Sequence, residues 1–207
     1  MSDLDNLMTE DYFDESESYS GRIPQGVFPA HITDLNIKTD IKVKSKQQEG
    51  MTHLCDIYEF TYKVAPEVKD HNYKIADGKE ISGDTFSGKT LKGRGIFKFK
   101  SVTAEQANDG YIPNAGGNKR FKNFLDSIGF ECETKEITDT RGTRTVIVLP
   151  DLMTDDVEGR PVMVTVTHRE WKGKQGDTMT AVEVSDTKLW ESGKPKKTAM
   201  SEEDIPF

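Results

Sequence analysis

Apolar and polar residues alternate with a period of two from Gly26 onward, which restricts this chain to a fold built from short strands. The pattern predicts strands near 26–37, 52–64, 71–76, 79–81, 94–100, 131–137, 143–149, 161–170 and 178–184. In the first of these, the phase slips between Ile32 and Leu35, as a β-bulge allows. Asp77-Gly78 is typical of a tight hairpin turn. The sequence therefore predicts a mainly β domain, either a small elaborated barrel or a sandwich.

One segment has helical periodicity instead. Between positions 118 and 128 the apolar residues fall on one helical face, and Gly129 stands where a C-terminal cap belongs. A shorter helical turn is predicted at 103–108. We therefore expect extra strands and one clear helix, around 118–128, in addition to the main sheet.

The charge is unevenly distributed along the chain. There are 28 Lys and Arg against 36 Asp and Glu, a formal net charge of −8. Residues 1–20 hold seven of the acids and residues 199–207 hold three, with no base in either, so the stretch between them has a net charge of +2. We expect a disordered acidic leader over 1–20, a mildly basic domain over 21–190, and a flexible linker with an acidic tail over 191–207.

Two further features indicate where the protein acts. The longest apolar run, at 146–149, is far too short to span a bilayer. Cys55 and Cys132 have no pairing signature and suit a reducing compartment. We expect a cytoplasmic protein that does not bind membranes, and the sequence does not decide whether it forms a homo-oligomer.

No pattern of residues predicts catalysis. Residues 83–90 match the G-x4-G-K-[ST] pattern of phosphate-binding loops, but a polar hairpin precedes them and glycines follow where a helix must start. His53 and Cys55 share a strand face without a second ligand pair at the spacing of a zinc site. The carboxylates within 151–158 fit a solvated turn better than a metal site. We expect no enzymatic activity, no cofactor and no metal.

Cations and aromatic side chains are interleaved in three segments, a combination that suits a groove for single-stranded nucleic acid. The segments are 89–100, the start of the predicted helix, and the hairpin at 167–177. The basic residues expected to contact phosphates are Lys89, Lys92, Arg94, Lys98, Lys100, Lys119, Arg120, Arg169, Lys172 and Lys174. No basic recognition helix is visible, which favours single strands over duplexes.

Two groups of aromatic residues are candidates for stacking on bases. Trp171 shares the outward phase of Arg169, so it either stacks on a base or folds over the sheet edge as a lid. Tyr58 and Tyr62 lie with Phe60 on one face of a predicted strand. They form either a base-stacking platform or part of the core, and we include Tyr58 and Tyr62 among the candidate binding residues.

The strand at 94–100 divides its side chains between two faces. Phe97 and Phe99 are predicted to face the core. Lys98 and Lys100 are then expected to face solvent and contact phosphates.

The chain ends in the sequence SEEDIPF. This end resembles the C-terminal tail of bacterial single-stranded DNA-binding proteins. The resemblance implies that the tail recruits enzymes of replication, recombination and repair, with the final ring in an apolar pocket and the chain-end carboxylate on a basic residue. The partner-binding residues would be Glu202, Glu203, Asp204, Ile205, Pro206 and Phe207.

The body of the chain resembles phage-encoded replication and recombination accessory proteins. The resemblance lies in IPQGVFPA at 23–30, FLDSIG at 124–129 and EGRPV at 158–162. It implies an OB-like barrel, the oligonucleotide-binding type of β-barrel. We therefore expect a non-enzymatic, phage-encoded protein that coats single-stranded DNA in the host cytoplasm. Two alternatives remain: an interaction protein that mimics DNA through 1–20, and a nucleotide-dependent enzyme that uses 83–90.

Overall fold

The computed structural model describes residues 22–74, 78–139, 142–173 and 176–195. The described strands are β1 (Gly26–Lys44), β2 (Thr52–Val64), β3 (Asn72–Lys74), β4 (Glu80–Ser82), β5 (Thr90–Gly93), β6 (Ile96–Phe99), β7 (Thr134–Asp139), β8 (Gly142–Ile147), β9 (Pro161–Lys172) and β10 (Thr178–Leu189). The α-helices are α1 (Ala104–Asn108), α2 (Lys119–Ser127) and α3 (Thr154–Val157), and 3₁₀ turns lie at Pro66–Asp70, Gly83–Thr85 and Ala115–Asn118. The leader at 1–20 and the tail at 202–207 lie outside the described residues.

The main sheet closes into a barrel. β1 pairs antiparallel with β2 along its length and with β9 near its start, and β9 pairs antiparallel with β10. β10 runs parallel to β5, which pairs antiparallel with β2. One edge of β2 is covered by β1, so β5 and β6 share its other edge. They act as one interrupted strand, which we call the β5–β6 strand. The result is a closed five-stranded OB-like barrel with extra strands, and the sandwich alternative is wrong.

Aromatic side chains from β2 and α2 fill the barrel. Tyr58, Phe60 and their neighbours on the same face of β2 point inward. The Phe60 and Phe124 rings stack with centroids 4.1 Å apart, and Phe121 lies 4.9 Å from Tyr58. Gly129 follows α2 with a φ of 63°, a conformation that suits a glycine cap. The predicted helix is therefore confirmed, and its apolar face is part of the core.

Bulges adjust the strands to the barrel. β1 shifts register between Ile32 and Asp34, as the phase of the sequence predicts. β1 then continues to Lys44, beyond the predicted end at 37, and forms a long hairpin with β2. In the β5–β6 strand, Lys92 pairs with Thr61 while Ile96 pairs with Tyr58, so β5–β6 has one residue more than β2 over this stretch. This bulge reverses the face to which later residues of the strand point.

The remaining described elements lie around the barrel. β3 and β4 form the predicted hairpin, and β7 and β8 form a separate two-stranded sheet. The 83–90 motif is followed by strand β5, not by the helix that a phosphate-binding loop requires. His31 Nε2 bonds the carbonyl of Lys194 at 3.0 Å, so the chain packed on the barrel extends past the expected boundary at 190. Within the described part of the chain, no helix is long and apolar enough to cross a membrane.

Candidate nucleic-acid interface

The outside of the barrel carries two aromatic rings where β2 meets the β5–β6 strand. Because Tyr58 points inward, its neighbour Ile57 points outward, and Phe97 pairs with Ile57 on that outer face. The Phe97 side chain is 37% exposed. Phe99, half-buried, stacks with it at a centroid distance of 6.1 Å and an interplanar angle of 18°. The two nearly parallel rings are apolar surfaces of the kind on which nucleobases stack.

Cationic side chains lie along the same outer face. Lys92 is exposed on β5, beside Thr61 of β2 and Glu183 of β10. Arg94 follows in the bulge, and its Nε donates to Oε1 of Glu183 at 2.7 Å. Lys92 is thus an exposed cation on the outer face, while Arg94 is partly neutralised by Glu183.

A third aromatic ring, that of Trp171, lies on the β9–β10 hairpin. Trp171 is 39% exposed and pairs with the exposed Met179, and the Arg169 guanidinium lies 5.6 Å from the Trp171 ring centroid. Arg169 and Trp171 are both exposed, as the outward phase predicts. The cation and the ring together provide charge and a stacking face.

These groups lie on the face that OB barrels commonly use. Such barrels bind oligonucleotides across their second and third strands, between the loop joining strands one and two and the loop joining strands four and five. Here these strands are β2 and β5–β6, and the loops are 45–51 and the β9–β10 connection. We name the surface with Ile57, Lys92, Phe97, Phe99 and Trp171 the outer-strand face.

The structure corrects the assignment of Tyr58 and Tyr62 as stacking residues. Their side chains are 1% and 2% exposed, so neither ring is accessible to a base. Burial raises the pKa of the Tyr58 phenol to about 12, with Asp151 and Asp56 adding to the shift. Burial also raises the pKa of Tyr62. Both rings belong to the core, which was the other interpretation of this strand.

The structure also reverses the expected sides of β6. Phe97 and Phe99 face outward, whereas Lys98 and Lys100 follow the inner phase of Ile96. Lys98 Nζ donates to the carbonyl of Pro150 at 2.8 Å and pairs with Asp151. The bulge ahead of β6 causes the reversal, because Leu91 and Ile96 both point inward although they are five residues apart.

Lys100 is held by two carboxylates. Its Nζ lies 2.9 Å from Asp40 and 2.9 Å from Asp56, and these hydrogen bonds raise its pKa to about 12. Neither Lys98 nor Lys100 is therefore a free phosphate contact.

The other predicted cations are scattered. Lys119 and Arg120 are exposed at the start of α2, and Arg120 donates to the carbonyl of Ser185 at 2.9 Å. Arg120 shares a small cavity with Arg94 at the edge of the outer-strand face. Lys89 is half-buried, Lys172 is exposed in the phase opposite to Trp171, and Lys174 lies outside the described residues.

Two groups of residues on or beside this face do not follow from the sequence pattern. Phe97 and Phe99 were placed in the core, although Ile96, which breaks the local alternation, signals the bulge. Lys42 and Lys44 fall between the predicted strands at 26–37 and 52–64, but they lie at the end of β1 beside the 45–51 loop. The density of lysines between two predicted strands is the sequence feature that could have indicated them.

No metal site accompanies this face: across the described ranges, no three His, Cys, Asp or Glu side chains are grouped to hold a metal ion. Comparison with known proteins identifies no relative, since no family model, curated protein or solved structure matches this chain.

Proposed function

We propose that this protein binds single-stranded DNA and coats it during replication or recombination, without catalysis. The observation that carries the proposal is the stacked, outward-facing pair Phe97 and Phe99, on the same outer face as the exposed Lys92. Stacking on aromatic rings with phosphate contacts to nearby cations is how sequence-tolerant single-strand binders work. Among the described helices, α2 has three basic residues in its first turn, but Arg120 donates to a backbone carbonyl and Lys122 pairs with a carboxylate of the same helix, so little free positive charge remains on it for a major groove.

The proposal includes recruitment of partner enzymes by Glu202 to Phe207 and an origin in a phage genome. Both rest on the sequence, because the tail lies outside the described residues. The Phe207 ring suits an apolar pocket, and the neighbouring acids supply long-range attraction to a basic partner surface.

Fluorescence anisotropy with labelled single- and double-stranded oligonucleotides, at two salt concentrations, tests the proposal. We expect binding to the single strand that weakens steeply with salt, and much weaker binding to the duplex. Lys92→Ala should weaken single-strand binding. Lys135→Ala is the matched control, because Lys135 is exposed on the separate β7–β8 sheet.

Two results would contradict the proposal. One is an absence of single-strand binding at low salt by the intact chain. The other is equal loss of affinity in Lys92→Ala and Lys135→Ala, which would show that binding follows overall charge and not the outer-strand face. The DNA-mimic alternative predicts the first result.

A further inference from the structure

A cavity lies on the side of the β1–β2–β6 sheet opposite to the outer-strand face. It is an open cavity of about 870 Å³ between the long β1–β2 hairpin, β6 and the segment 147–153. Its size is within the range of ligand sites in proteins. The charged residues that line it and the apolar residues of its walls restrict what could bind there.

The charges in this cavity do not suit a phosphate group. Three carboxylates, on Asp40, Asp56 and Asp151, line it together with the ammonium groups of Lys98 and Lys100. Both lysines are already paired, Lys98 with Asp151 and Lys100 with the two other carboxylates. These five groups carry a net charge of −1, so an anion would be repelled.

The cavity instead offers hydrogen-bond acceptors at its opening. The side chains of Asp40 and Asp151 are 66% and 85% exposed although each accepts from a lysine. The Lys98 ammonium holds the pKa of Asp151 below its usual range, so this carboxylate stays ionised at neutral pH. A ligand with N–H groups would therefore find charged acceptors here.

The walls of the cavity are apolar. Leu54, Leu149 and Leu152 line it, and the rim includes Ile37 and Met153, whose side chains are unusually exposed for their type. Such walls favour a flat, weakly polar group. An uncharged ring with amino donors meets both requirements, the walls and the carboxylates.

Phe99 connects this cavity with the outer-strand face. It stacks with Phe97 on the outside of the barrel and also lines the cavity. Because Phe99 belongs to both surfaces, a strand that stacks on Phe97 and Phe99 can continue from the outer-strand face toward the cavity and place one base in it.

We infer that this cavity binds one unstacked nucleobase with an exocyclic amino group, which donates to Asp151 and Asp40. The inference rests on the proposed function and adds a base preference to it. Cytosine carries such an amino group, and carboxylates commonly accept from it. Thymine presents a carbonyl oxygen, O4, in its place, which the carboxylates repel.

Binding of equal-length dC and dT homopolymers tests the inference, because both are pyrimidines and stack weakly. We expect the wild-type chain to bind the dC strand roughly fivefold to tenfold more tightly, as expected for one base contact. Asp151→Asn and Asp40→Asn should each reduce this ratio toward one, since an amide also donates to thymine carbonyls. Asp84→Asn is the control, because Asp84 is exposed and pairs with Lys69 outside the cavity.

Thermal unfolding of each variant shows whether it folds. If Asp151→Asn does not fold, Asp40→Asn still tests the pocket. Equal affinity of the wild type for the two strands would overturn the base pocket. So would a dC preference that persists in both cavity variants. If Phe97→Ala still weakens the binding of both oligonucleotides in those cases, the proposed function stands without the base pocket. If the wild type binds neither oligonucleotide, both the base pocket and the proposed function are overturned.

Discussion

Phe97 and Phe99 lie on the outside of the barrel with their ring planes 18° apart, although the lysine between them points inward. This arrangement depends on the extra residue in the β5–β6 strand, which shifts the alternation by one position. Without it, the rings would point inward and Lys98 outward. The bulge therefore creates the apolar part of the outer-strand face.

Phe97→Ala should weaken single-stranded DNA binding roughly fivefold to 30-fold, because one exposed stacking ring contributes about 1 to 2 kcal/mol. Its effect on the free energy of unfolding should be small, since more than a third of the side chain is exposed. Anisotropy titration and urea unfolding measure the two quantities. Val27→Ala is the control, because Val27 is also exposed, at 48%, but lies where β1 pairs with β9. A similar affinity loss in both variants would contradict a role for Phe97 in stacking.

Lys92→Ala and Lys98→Ala should behave oppositely despite their proximity in sequence. Lys92 is exposed, so its loss should reduce the slope of log affinity against log salt by about 0.7, one phosphate contact on a single strand. Lys98 bonds Pro150 and lies 6.0 Å from the Phe121 ring centroid, so its loss should lower the free energy of unfolding by about 1 to 2 kcal/mol. Salt titrations and urea unfolding distinguish them. A large change of slope in Lys98→Ala would show that this lysine reaches the DNA.

The sequence predicts what depends on local periodicity. The strands, the hairpin near Gly78 and helix α2 follow from the spacing of neighbouring residues, and so does the bulge after Ile32. The exposure of Arg169 and Trp171 on the same strand face follows in the same way, because β9 pairs with β10 without a register shift from Val166 to Lys172.

What the sequence does not predict depends on contacts between distant residues. Alternation separates Phe97 from Lys98 but does not say which of them faces the interior. The answer depends on Pro150 and Asp151, more than 50 residues away, which cover Lys98 and satisfy its ammonium. The burial of Tyr58 likewise requires Phe121 from α2.

Alkaline titration should show that Tyr58 and Tyr62 are in the core. An exposed tyrosine ionises near pH 10, but burial raises the pKa of Tyr58 to about 12 and also raises that of Tyr62. The folded state therefore holds these protons more tightly, so their contribution to stability is intact below pH 10 and is lost as the pH rises toward 12. Tyrosinate absorbance at 295 nm should show a delayed step, which Tyr58→Phe and Tyr62→Phe each reduce. Ionisation of every tyrosine near pH 10 in the folded protein would contradict the burial.

Asp56→Ala should destabilise the fold by about 3 kcal/mol, because it leaves the Lys100 ammonium without its buried partner. Asp56 Oδ1 lies 2.9 Å from Lys100 Nζ and accepts from the backbone N–H of Asp40 at 3.0 Å. The value is at the low end for a buried pair because a third of the Lys100 side chain is exposed. Urea unfolding measures it, with Asp84→Ala as the exposed control. Equal stability of the two variants would show that the pair contributes nothing.

Gly95→Ala should disturb the bulge that turns Phe97 outward. A methyl group on Gly95 would lie 2.5 Å from Cγ2 of Ile57, the residue that pairs with Phe97, so the strand must shift. We expect a loss of about 1 to 3 kcal/mol in the free energy of unfolding and weaker single-strand binding, since the ring moves with its strand. Gly116→Ala is the matched control, because no atom lies within 4 Å of the added carbon. If Gly95→Ala retained both stability and affinity, the position of Phe97 would not depend on this glycine.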